Sequence, residues 1–138
     1  MSAEEKIAHL GFIQGVVNRM GNNSFLIKGW AIALVAATFA LSAEKSNANF
    51  AYIAFFPLLF FWWLDAFFLH QEKLYRKLYE KVANNTEPSN EFTMDTYKYK
   101  AEVECFCKVF ASKTLRYFYG PIVILIAFFM WKAMDLIK

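Results

Sequence analysis

The chain has 138 residues, one domain's worth, and is 58% hydrophobic and 20% aromatic, which is too apolar for a soluble domain of that length. Fifteen Lys and Arg against twelve Asp and Glu leave a net charge of +3, and the basic residues are unevenly placed. Five scattered glycines form no phosphate-binding loop. Neither His9 nor His70 has the acidic or cysteine neighbours of a metal or nucleophile motif. No catalytic residue, metal site or cofactor is therefore expected, and the composition points to an all-α integral membrane protein.

In chain order, residues 1-24 are expected to form an amphipathic cytosolic helix. Ile7, Leu10, Ile13, Val17 and Met20 recur at helical spacing. The acidic start lacks the basic region and solid apolar core of a signal peptide, so the segment is expected to stay with the mature protein. Gly21-Asn22-Asn23-Ser24 reads as a kink or N-cap. A transmembrane hairpin at 25-69 follows, with spans at 25-43 and 50-69. Residues 29-43 and 50-64 carry no charge, and each run reaches about 20 residues, bilayer length, by admitting one charged residue near an end. Pro57 lies inside the second span, where a kink is tolerated.

Residues 70-117 read as a cytosolic helical hairpin. Leu74, Leu78 and Val82 continue the second helix, the polar segment 84-90 breaks it, and a second helix is predicted over about 93-118 from Thr96, Tyr99, Val103, Phe106 and Phe110. Gly120-Pro121 marks the junction with the last apolar run. Residues 117-131 are again uncharged, and a third span at 118-138 is expected, with Lys132 snorkelling to the far interface.

Nine of the fifteen basic residues fall between 70 and 116 and three more at or before Lys28, whereas the 44-49 loop has only Lys45, balanced by Glu44. The positive-inside rule then places the N-terminus and 70-116 in the cytosol and the 44-49 loop outside; a third crossing puts the C-terminus outside. Cys105 and Cys107 fall in the cytosolic segment, where thiols stay reduced; a lone C-x-C is a weak metal or redox signal.

Three sets of residues stand out. On the first span, Ser24, Lys28, Thr38 and Ser42 share an edge, together with Ala31 and Val35, while Gly29, Ala33, Ala36, Ala37, Ala40 and Ala43 lie opposite. In an oligomer that edge lines a pore, with Val35 as part of an apolar constriction; in the ordinary reading Thr38 and Ser42 bond their own preceding-turn carbonyls and Lys28 snorkels. The small-residue face is a seam for the second span or another subunit. A turn centred between Ser46 and Asn47 brings Lys28 level with Asp65, so an intramembrane ion pair is expected, with Arg19 as the alternative partner. Trp30, Trp62 and Trp63 read as interfacial anchors, and the seven phenylalanines of 50-69 suit that span to lipid. Finally, Tyr75, Arg76, Lys77, Tyr79, Tyr97, Lys98, Tyr99 and Lys100 interleave bases with aromatics. They are either a surface for a nucleotide or cytosolic protein partner or topology determinants touching lipid; specific nucleic-acid binding is not expected.

The run Arg19-Met-Gly-Asn-Asn-Ser24, followed by Lys28-Gly-Trp30 and an Ala-rich span, resembles small uncharacterised multi-pass bacterial inner-membrane proteins, some of which act as membrane effectors of antiviral defence. The likeness covers roughly the first 80 residues. It implies a homo-oligomeric channel or pore that permeabilises or depolarises the inner membrane during phage infection. The alternative is a non-conducting anchor or scaffold that recruits a cytosolic partner through 70-116.

Overall fold

The computed structural model describes residues 2-45, 49-88 and 91-135; no strand occurs among them. Helix α1 runs Ala3–Lys45, α2 Asn49–Ala83, a 3-10 helix Tyr97–Glu102, α3 Phe106–Phe110 and α4 Lys113–Asp135. Three of these helices, α1, α2 and α4, contain stretches long and apolar enough to cross a membrane. The turn expected around Ser46 and Asn47 and the C-terminal end of the third span lie outside the described residues.

Three boundaries differ from expectation. Helix α1 is uninterrupted through Gly21-Asn22-Asn23-Ser24, so no new helix starts there. Glycine and asparagine lower helix propensity by a fraction of a kcal/mol to about 1 kcal/mol each, too little to break a helix buried on both sides of the sequence. Its real N-cap is Ser2, whose Oγ accepts from the Glu5 amide at 3.1 Å while Glu5 Oε2 accepts from the Ser2 amide at 2.9 Å, a capping box. The expected 93-118 helix is instead the 3-10 helix, α3 and the start of α4. The 3-10 helix ends where Val103 turns extended. Helix α4 passes through Gly120-Pro121 without ending. Glycine before proline has no Cβ to clash with the ring, so the usual bias of that position away from the helix is relieved.

The chain divides into two compact units, Met1–Ser24 with Ala66–Val109, and Phe25–Asp65 with Phe110–Lys138. The first unit packs Ile13 and Val17 of α1 against Leu78 and Val82 of α2, with Tyr99 of the 3-10 helix closing the cluster and Leu10, Tyr75 and Met94 at its edge. Lys6 Nζ donates to Ala83 O at 2.7 Å and Asn85 Oδ1 at 2.9 Å, which satisfies a carbonyl at the end of α2. In the second unit Ala31, Val35 and Thr38 of α1, Ala54, Leu58 and Asp65 of α2, and Leu115, Tyr119 and Ile126 of α4 are buried.

Candidate functional site: a buried Lys28–Asp65–Tyr119 cluster

An ionisable group in an apolar three-helix unit must find a partner or lose its charge. Asp65 is fully buried, and Lys28 Nζ lies 2.6 Å from its Oδ2. The equal-depth pairing read from the sequence thus places these two residues together; Arg19 belongs to the other unit. The same Oδ2 accepts a second hydrogen bond from the Tyr119 hydroxyl at 3.0 Å, and that hydroxyl also lies 3.4 Å from Phe61 O. The Phe118 ring sits 5.8 Å from Lys28 Nζ. One carboxylate oxygen therefore ties all three helices of this unit together.

Tyr119 is held by stacking. Its ring lies nearly parallel to Trp62, centroids 5.4 Å apart, and Trp62 in turn stacks on Phe110 at 5.1 Å while donating from Nε1 to Phe110 O at 3.0 Å. Sequence reasoning missed Tyr119. The signal was present in the Leu115, Tyr119, Ile126 spacing, which puts the tyrosine on the inward face of α4. Trp62, expected as an interfacial anchor, is an internal strut instead; Trp30 and Trp63 remain well exposed.

The polar edge of α1 faces inward within the single chain. In the second unit Val35 and Thr38 are buried with Ala31, Lys28 is bound to Asp65, and Ser42 is half-buried. Ser24 belongs to the other unit and is likewise buried. Thr38 Oγ1 donates to Leu34 O at 2.7 Å, the preceding-turn bond of the ordinary reading. Gly29, Ala33, Ala36, Ala37 and Ala40 are exposed, so the small-residue face does not pack on the second span. Shielding one ion pair outweighs close packing of alanines, since unpaired charge is the most costly group to leave against an apolar medium.

The basic-aromatic candidates in the first unit are only partly a surface. Tyr99 is core and Tyr75 packs against it. Lys98 is ion-paired to Glu87, whose other oxygen accepts from the Tyr99 hydroxyl at 2.6 Å. Lys77 reaches Glu80 at 3.0 Å and Glu102 at 3.6 Å, and Lys81 reaches Glu102 at 2.9 Å. Arg76 bonds Glu72 within its own helix but stays exposed, as do Tyr97 and Lys100, whose Nζ lies 4.3 Å from the Tyr97 ring centre. Tyr79 is at the margin of exposure. These pairs hold the Glu87, Glu102 and Glu104 carboxyls below their ordinary range, chiefly through hydrogen bonds from Lys98, Lys81 and Lys73 respectively.

The two histidines, which carry no metal or nucleophile motif in the sequence, both belong to the first unit. His9 is fully buried with Nε2 2.8 Å from Thr93 O and Nδ1 without a partner; since a carbonyl can only accept, Nε2 carries the proton. His70 is pushed below its ordinary range, mainly by burial and secondarily by the charges of Lys100 and Lys73, against the opposing effect of a hydrogen bond to the Glu104 backbone.

The chain matches no protein-family profile, no curated protein and no solved structure.

Proposed function

We propose that the chain is a multi-pass inner-membrane protein, N-terminus in the cytosol, that acts as a homo-oligomeric channel or pore-forming effector in antiviral defence. One observation carries the oligomer: the outer surface of the second unit is uneven in kind. Helix α1 turns a stripe of Gly29, Ala33, Ala36, Ala37 and Ala40 outward, flanked by exposed Leu26, Trp30 and Ile32, whereas α2 exposes Ile53, Phe56 and Phe60 and α4 exposes Ile124, Phe128 and Trp131 without such a stripe. Bulky aromatic faces suit acyl chains, and a small-residue face lets backbones approach. Copies meeting through α1 in a closed ring have a narrow axis bordered by glycine and alanine. Such a constriction is dry and therefore shut at rest, as an effector awaiting a signal must be.

The second reading is a non-conducting anchor or scaffold whose 70-116 segment recruits a partner. It is favoured by the inward turn of Lys28, Val35 and Thr38, which leaves their edge of α1 unable to line a water path in this state. Both readings are tested on the purified full chain by its mass in nanodiscs and by ion flux from liposomes. An oligomer with flux supports the channel; an oligomer without flux supports the scaffold; a monomer removes the channel.

A further inference from the structure

Two basic side chains act on His70 in the first unit, and the groups around it come from three elements. Lys73 stands one turn further along α2, Lys100 lies on the 3-10 helix close enough for its charge to act on His70, and Phe106 of α3 meets the His70 ring edge-on at 6.1 Å. The imidazole also bonds the Glu104 backbone. Glu104 supplies the negative charge in this group, and it is shared: Lys73 pairs with Oε2, and Lys108 lies 3.5 Å from Oε1. Lys100 contacts the Tyr97 ring and has no carboxylate partner among the described ion pairs. Two ammonium groups therefore meet on one carboxylate, the imidazole bonds the backbone of the same residue, and a third ammonium group, Lys100, lies within electrostatic reach of the imidazole. This excess of positive charge is repulsive in the unliganded protein and would be relieved by an anion with several acceptor oxygens.

We propose that His70, Lys73, Lys100 and Lys108 form a binding site for a phosphate-bearing anion, with the Glu104 carboxylate holding two of the lysines in place. The chemistry is that of a phosphate monoester or diester: Lys100 and Lys108 supply point charges, and protonated His70 supplies a directional donor at the half-buried end. His70 directly follows the apolar 50-69 run, the position at which a phospholipid headgroup meets a spanning helix; a soluble phosphate compound would use the same groups. The site is independent of whether the protein conducts.

The test follows the protonation of His70 by NMR of the full chain labelled at histidine, the His70 signal being assigned by its loss in His70→Gln. Binding is expected to raise the His70 midpoint by about one unit or more, the effect of an opposite charge at contact distance. In neutral phosphatidylcholine nanodiscs, a rise on adding inorganic phosphate assigns a soluble ligand. A rise confined to phosphatidylglycerol nanodiscs assigns the headgroup. In either arm the double variant Lys100→Gln/Lys108→Gln, which alters two exposed side chains, must lose most of the rise. A full rise in that variant would reveal only the diffuse potential of the surface and overturn the site, as would no rise in either arm.

Discussion

Lys28 and Asp65, 37 positions apart in sequence, meet at 2.6 Å with Asp65 fully buried. Removing one member leaves the other as an uncompensated charge, so Asp65→Asn, Asp65→Leu and Lys28→Met should each destabilise the protein strongly, by about 3–5 kcal/mol. The double variant Lys28→Met/Asp65→Leu, apolar at both positions, should recover much of that loss. Thermal unfolding in detergent checks the cycle; additive losses in the double variant would show that the two residues are not energetically coupled.

Tyr119→Phe removes the second donor to Asp65 Oδ2 and leaves the stack on Trp62 in place. A hydrogen bond to a charged group contributes about 1.5–3 kcal/mol, so this loss should be smaller than that of Asp65→Asn. It should also shrink toward zero in an Asp65→Leu background. The same unfolding measurement reads both values.

The fold was legible wherever one local signal dominated. Charge-free runs that approach bilayer length once one charged residue near an end is admitted marked the three apolar helices, and the numbering of Lys28 and Asp65 around a short turn gave their pairing. Features set by tertiary competition were hidden. The polar edge of α1 has the same helical periodicity whether it faces a pore or its own partners, and the orientation is decided by Asp65 and Tyr119 on other helices. The 3-10 helix was read as part of a longer α-helix because Tyr99 and Val103 fit that period; burial of Tyr99 among Ile13, Val17, Leu78 and Val82 sets the local path instead. Among the basic-aromatic candidates, charge and aromaticity were visible, but the partners that neutralise Lys77 and Lys98 were not.

The first unit should lose stability on acidification in two stages. His70 in the folded state sits below the ordinary imidazole range, so the unfolded chain takes up its proton first, and the stabilisation present above about pH 6.5 declines as pH falls below that value. Glu87, Glu102 and Glu104 are also depressed. Their contribution is intact above about pH 4.5 and is lost as pH falls through their lower folded values. Raised Lys77 and Lys98 contribute in the opposite sense, fully present below about pH 10.5 and lost above it. Amide hydrogen exchange of residues 70-88, corrected for intrinsic rates, should fall into this pattern, and His70→Gln should abolish the upper acid stage alone.

The small-residue face of α1 gives the sharpest separation between a packing seam and an idle surface. A Cβ added at Gly29 meets nothing within 4 Å beyond its chain neighbours and the backbone of its own helix turns, so Gly29→Ala within one copy should stabilise the helix by about 0.5–1 kcal/mol. Ala33→Leu and Ala37→Leu likewise add volume to exposed positions and should leave the unfolding of a dispersed monomer nearly unchanged. If copies meet there, the same leucines hold the backbones apart, and the oligomer should dissociate at protein concentrations where the unaltered chain stays assembled. Leucine at Ala54, buried in α2, is the contrasting control, because overpacking there should cost about 1–3 kcal/mol of monomer stability. Native mass spectrometry across a dilution series reads assembly separately from folding. Oligomers that survive both Ala33→Leu and Ala37→Leu would place the contact between copies on another face.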